Sequence, residues 1–351
     1  MPMTSSAVKR EATRLGFDLC GVAPAAGFPE LRFLREWLDC GCAGDMAYMA
    51  RSADRRDDVR RVLPSARAVI VAAALYNVNR PYSTEVGSRD CARIARYAWG
   101  DDYHDVLGRR LNALLDWMRR EAPEPFEATW YVDTGPVQER VYAQYAGLGW
   151  IGKNTCLINP QLGSWIFLCE LIVSLALEPD APGLDQCGSC TLCLEACPTG
   201  ALVQPRVLDA TRCLAYLTIE RRGGLPERLR GAIGNHVYGC DICQDVCPWN
   251  HRPAVSGDPA WQPRPAFDRP ALATLWRATD EELRASLDGS PMKRAKLAGL
   301  RRNVAVAIGN SASPDAASVF DEPSDDAVTS SSKADPVVRE HVEWARRQLR
   351  G

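Results

Sequence analysis

Residues 187–198 read CGSCTLCLEACP, and residues 240–248 read CDICQDVCP. The first run spaces its thiols as Cys187-x2-Cys190-x2-Cys193-x3-Cys197-Pro198. The second spaces them as Cys240-x2-Cys243-x3-Cys247-Pro248. Thiolates at these intervals hold cubane iron–sulfur clusters, and the cysteine before proline serves the other cluster of a pair. One cluster is then expected on Cys187, Cys190, Cys193 and Cys247. The second run lacks its first cysteine, and Cys213 lies upstream to fill that place. The other cluster is then expected on Cys197, Cys213, Cys240 and Cys243. Both sets close at four thiolates, so a central ferredoxin-like domain with two [4Fe-4S] clusters is expected, and with it one-electron chemistry.

Structural zinc uses two separated Cys-x2-Cys pairs, not thiols at successive three-residue steps ending in Cys-Pro. The first residues, MPMTSSAVKREATRLGFD, form no hydrophobic signal segment, which points to the cytosol and away from disulfides. The remaining six of the 14 cysteines are Cys20, Cys40, Cys42, Cys91, Cys156 and Cys169. They are scattered and expected mostly as small buried hydrophobes.

The cysteine region has long flanks. A chain of 351 residues with 46% hydrophobic content builds two or three domains. No apolar run has the length of a membrane span. The net charge of −2 carries no global nucleic-acid signature, although local basic clusters can still meet phosphate.

Upstream, residues 1–180 read as an α/β domain. Helical patterns cover residues 4–16, 30–37 and 105–120. AVIVAAAL at 68–75 reads as a buried strand. ATWYV at 128–132 and WIFLCELIVSL at 165–175 are further strands. DAPG at 180–183 opens the cysteine region, which with a proline-rich connector occupies about 181–262. Residues 263–351 read as helical. Leu297, Leu300, Val304 and Ile308 form a stripe that Gly309-Asn310 can end. After a polar loop from Ser311 to Lys333, Asp335-Pro336 starts a last helix. Two such helices resemble one HEAT-type repeat. The expected fold class is multidomain α+β and α/β.

Asp133 stands where a strand meets the turn Asp133-Thr134-Gly135-Pro136, a usual address for functional side chains. Partly buried there, its carboxyl would have a raised pKa and donate a proton. The alternative is an Asx-turn that bonds only its own backbone. His104, in YAWGDDYH at 97–104, can shuttle protons or cap a helix. LGWIGKN at 148–154 matches neither a Walker A loop nor a dinucleotide fingerprint. Its glycines, like Gly163 before Ser164, admit a close neighbour or make tight turns. Lys293, Arg294, Lys296, Arg301 and Arg302 crowd ten residues of an acidic chain. They suit either a phosphate-backbone partner or a solvated face.

Several segments together resemble the epoxyqueuosine reductases, cobalamin-dependent iron–sulfur enzymes of queuosine-tRNA biosynthesis. They are MAYMARSADRRDDVRRVLPSARAVIV (46–71), RYAWGDDYH (96–104), DTGPVQERVYAQYAGLGWIGKNTCLINPQLGSWIFLCEL (133–171), both cysteine runs and LRRNVAVAIGN (300–310). The resemblance spans nearly the whole chain. It implies base-off cobalamin on the N-terminal domain, fed single electrons by a nearby cluster, and loss of the epoxide oxygen from epoxyqueuosine in a tRNA anticodon. It makes Asp133 the proton donor, assisted by His104. It sets Arg56, Lys153, Asn154, Thr155, Gly163 and Ser164 along the cobalamin pocket. It assigns tRNA to the tail through Arg301, Arg302, Lys293 and Lys296. An external electron donor and a monomeric state complete the expectation.

Small departures from the family pattern are Cys156, Val59 and the long polar loop. The competing readings are another corrinoid reductase, such as a soluble reductive dehalogenase, and a non-catalytic ferredoxin fused to a binding module. The first lacks the expected export signal; the second gives the 180 N-terminal residues no role.

Overall fold

The computed structural model describes residues 3–85, 87–311, 318–322 and 332–350. Most of the polar stretch from Ser311 to Lys333 lies outside them.

Four strands form the main sheet: β1 (Leu19–Pro24), β2 (Ala68–Leu75), β3 (Ala128–Tyr131) and β4 (Ile166–Val173). Their order is β1-β2-β4-β3, and every pairing is antiparallel. The α/β expectation for the N-terminal part is therefore corrected to α+β. The apolar run at 68–75 reports cover on both faces, since all eight residues of β2 are buried. An antiparallel strand covered on both faces carries the same run as a parallel one. Helices α1 (Ser5–Arg14), α2 (Tyr103–Glu121) and α3 (Glu139–Tyr145) pack on this sheet and share its core. The short strand β1, LCGVAP, gave no apolar alternation by which to find it.

The cysteine region is compact and loop-rich. The one-turn helices α4 (Leu192–Glu195) and α6 (Ile242–Asp245) follow corresponding cysteines of the two runs and pack together. Helix α5 (Leu214–Ile219) follows Cys213. A second core joins the tail to residues 92–98 and to His236–Tyr238, which pairs in parallel with Arg93–Ile94.

The tail holds α7 (Lys296–Ser311) and α8 (Pro336–Arg350), packed against each other. Asp335 caps α8, its Oδ1 accepting from the Val337 N–H at 2.8 Å. Helix α7 continues past the expected stop at Gly309-Asn310. Gly309 instead lets α8 approach: a Cβ there would lie 2.8 Å from the Trp344 ring and 2.9 Å from Ala345. Among the described residues no helix is long and apolar enough to cross a membrane.

Candidate functional site

Asp133 follows β3 and adopts a left-handed backbone, φ 58°. Its side chain is 60% exposed, yet protein surrounds it closely on all other sides, as at the floor of a cleft. Tyr103 donates its hydroxyl to Asp133 Oδ2 at 3.0 Å. His104 Nε2 lies 3.6 Å from the same oxygen, is shielded from water and has no closer hydrogen-bond partner.

The first turn of α2 builds this arrangement. Asp102 is the N-cap, accepting from the His104 backbone N–H at 3.1 Å. The same Oδ1 lies 2.7 Å from His104 Nδ1, which fixes the ring. Asp102 Oδ2 pairs with Lys293 Nζ at 2.9 Å. Tyr103 stacks on His104 and on Phe167 of β4, with centroids 4.1 and 4.5 Å apart.

The charges follow from these contacts. Burial pushes the His104 pKa down. The hydrogen bonds and charges of Asp102 and Asp133 outweigh it, raising His104 to about 9. Burial pushes Asp133 up, but His104, Tyr103 and Arg140 more than offset it, and its pKa falls below the usual carboxylate value. These contacts favour a carboxylate at Asp133 and a proton on His104, against the raised pKa expected from burial alone. Asp102 is likewise lowered: its bonds to His104 and Lys293 exceed the cost of burial.

Behind Asp133 lie two further acids that sequence reasoning missed. Glu139 Oε1, at the start of α3, accepts from the Asp133 backbone N–H at 2.5 Å. Glu170 on β4 is fully buried beside Glu139. An acid inside the β4 apolar run (IFLCELIV) was the available signal.

The thiols assemble as the spacing implies. Cys187, Cys190, Cys193 and Cys247 line one cavity, together with Lys153, Asn154 and Trp249. Cys197, Cys213, Cys240 and Cys243 form a second group close enough to perturb one another's charge. The Trp150 indole N–H and the Ala201 N–H point at the sulfurs of Cys187 and Cys197, at 3.4 and 3.2 Å. Such N–H···S bonds stabilise charge on cluster ligands. Among the described residues no three His, Cys, Asp or Glu side chains converge on a single-ion geometry. Four thiols around a cavity suit a larger inorganic body. Of the other six cysteines only Cys169 is fully buried, and Cys40 is exposed.

Most of the residues expected along a cofactor pocket stitch the two regions together. Lys153 Nζ donates to the Gly188 and Cys190 carbonyls at 2.7 and 2.8 Å. Asn154 Nδ2 donates to the Cys243 carbonyl at 3.2 Å. Gly163, φ 73°, admits Asn250: a Cβ there would lie 2.1 Å from Asn250 Oδ1. Ser164 donates its backbone N–H to that oxygen at 2.9 Å and its hydroxyl to Gln244 at 2.9 Å. Thr155, φ 69°, offers its carbonyl to Arg140 at 2.8 Å. Next to it, Cys156 meets the thiol of Cys243. Arg140 thus bridges the Asp133 surroundings and the second thiol group. Arg56 is buried and donates to Val137 O and Ser52 Oγ, both at 2.9 Å.

The tail departs most from expectation. Arg301 and Arg302 are 0% and 1% exposed. Arg301 donates to the carbonyls of Leu275, Trp276 and Ala278. Arg302 donates to those of Leu217, Arg221 and Gly223. Neither guanidinium reaches solvent, so their assignment as tRNA contacts is corrected: they tie α7 to its neighbours. Lys293 and Lys296 remain exposed.

Known proteins resemble this chain in sequence and fold. A family model described as epoxyqueuosine reductase QueG, DUF1730, matches residues 56–134, and a 4Fe-4S double cluster binding domain matches residues 186–250. An epoxyqueuosine reductase of Gloeobacter violaceus is 44% identical, covering 89% of this chain and 98% of that protein. One of Pseudomonas aeruginosa is 39% identical, covering 98% and 94%. A crystal structure of epoxyqueuosine reductase with an epoxyqueuosine-modified tRNA-Tyr stem loop superposes with TM-score 0.87 at 31% identity, covering 98% of this chain and 89% of that one. A Bacillus subtilis epoxyqueuosine reductase, whose catalytic aspartate loop is swung out of the active site, gives TM-score 0.86 at 30% identity, covering 98% and 90%.

Proposed function

The chain belongs to the epoxyqueuosine reductase family, and on that premise we propose that it reduces epoxyqueuosine to queuosine in a tRNA anticodon, with two [4Fe-4S] clusters and cobalamin. The observation that carries this reading is the Asp133 carboxyl. It lies open at the floor of a cleft, bonded by Tyr103 and faced by a His104 that Asp102 and Lys293 hold in place.

The reaction breaks both carbon–oxygen bonds of the epoxide, forms a carbon–carbon double bond and releases water. It consumes two electrons and two protons. Cobalamin, when bound, supplies a cobalt centre that passes electrons singly and opens carbon–oxygen bonds. The protein's part is proton supply. Asp133 Oδ2 lies between the Tyr103 hydroxyl and His104 Nε2, so a proton on His104 passes to Asp133 and onward to the departing oxygen. A positioned acid of this kind is worth about 10²- to 10⁴-fold in rate. The fit to cobalamin rests on the open face of Asp133, with His104 Nε2 shielded from water behind it. Arg56 stands close enough for its charge to act on Asp133. The side chains of Lys153, Asn154 and Ser164 are spent on the cysteine region, so their role toward the cofactor is to hold the clusters against the catalytic domain.

Cys187, Cys190, Cys193 and Cys247 would hold one cluster; Cys197, Cys213, Cys240 and Cys243 would hold the other, beside Cys156. Lys293 and Lys296, exposed near the cleft's rim and the start of α7, are the remaining candidates for tRNA phosphates. Residues 1–180, 181–262 and 263–351 serve as the catalytic, electron-carrying and tRNA-holding parts.

Anaerobic reconstitution with iron, sulfide and cobalamin tests the reading. About eight irons and equimolar cobalt per chain, followed by conversion of an epoxyqueuosine stem loop under a one-electron reductant, is the expected result. A full iron complement with no cobalt uptake and no conversion would leave an electron carrier.

A further inference from the structure

The mechanism makes no use of Glu139 and Glu170, yet they adjoin its central residue. Glu139 Oε1 accepts from the Asp133 backbone N–H at 2.5 Å. Asp133 is left-handed, φ 58°, a conformation that costs energy in any residue with a side chain. The next N–H, of Thr134, closes a tight turn onto the Val132 carbonyl at 2.5 Å. The turn therefore depends on partners outside itself.

Glu139 is held in turn by Glu170. Glu170 is 0% exposed, and neither of its oxygens finds a donor. Two carboxyls in contact away from water cannot both ionise. Burial, then the neighbouring Glu139 charge, drives Glu170 far above its usual pKa, while burial and the Asp133 charge bring Glu139 to about 7. Burial and like charge thus favour a proton on Glu170, next to the Glu139 whose Oε1 receives the Asp133 N–H.

We propose that Glu139 is a positioning residue that latches the Asp133 turn in its catalytic conformation through the Asp133 backbone N–H, with the buried Glu170 behind it. The catalytic half of this inference rests on the reading of Asp133 given above; the latch itself does not.

The test is amide hydrogen exchange across residues 132–135 of the reconstituted holoenzyme without substrate, paired with steady-state kinetics on the stem loop. Glu139→Ala is expected to speed exchange there about tenfold or more. It is expected to lower kcat about 30-fold while KM changes less than about twofold. Glu139→Gln keeps an oxygen toward the N–H and is expected to restore both to within about threefold of wild type. Glu139→Asp keeps the charge but is too short to reach, and is expected to behave like the alanine variant; it replaces that variant should alanine not fold. Unchanged exchange in Glu139→Ala or Glu139→Asp, or a Glu139→Gln turn as loose as theirs, would overturn the latch. Faster exchange with unchanged kcat would overturn its catalytic consequence. If the wild type itself converts no stem loop, the functional reading fails, and exchange still decides the latch.

Discussion

The Asp133 cleft and helix α7 both bury charge, and they do so in opposite ways. Arg301 and Arg302 are walled off from water and held mainly by backbone carbonyls, with the Asp280 carboxylate 3.4 Å from Arg301. Such carbonyls cannot take a proton, so these guanidiniums serve to hold elements together. Around Asp133 the partners are themselves titratable. His104 faces it and pairs with Asp102, and Glu139 holds its backbone N–H beside Glu170, while the Asp133 carboxyl stays open. A buried charge satisfied by amides is structural; one satisfied by other acids and bases, with an open side, can do chemistry.

Substitutions can break that distinction. The largest effect is expected for Asp133→Asn, which should lower turnover by about 10²- to 10⁴-fold with the iron content of wild type. Near-normal turnover would remove Asp133 as the acid. Next, Arg302→Met should cost about 3 kcal/mol in anaerobic urea unfolding, because it leaves buried carbonyls without donors. Stem-loop affinity of the folded variant should stay unchanged. Weakened affinity without lost stability would return Arg302 to the tRNA surface. The smallest effect belongs to Lys293→Ala. Its side chain is 59% exposed, so losing the pair with Asp102 should change turnover only about two- to fivefold.

The same contrast explains what could be read in the sequence. The cysteine runs were legible because cluster ligation imposes fixed intervals: Cys247, 60 positions from Cys187, lines one cavity with Cys187, Cys190 and Cys193. Asp133 was legible from its strand–turn address. The five bunched cations were not, because bunching alone does not say which side of a helix is covered. Arg301 and Arg302 sit where α7 meets its neighbours, while Lys293 and Lys296 stay outside. Glu139 and Glu170 were missed because their meeting is made by α3 packing on the sheet, across 31 residues. The antiparallel order was missed for a related reason: a strand buried on both faces has one sequence pattern in either direction.

If His104 stores the proton, the pH dependence of kcat/KM will follow its titration. His104 is raised from 6.5 to about 9. Its charge therefore contributes stability in full below about 6.5, and that contribution fades as pH rises through about 9. Turnover should fall on the same alkaline limb. Asp102→Asn removes the carboxylate on Nδ1, so the limb should move toward lower pH while the iron content is unchanged. A limb that stays in place in Asp102→Asn, or a wild-type profile flat through pH 9, would contradict the account.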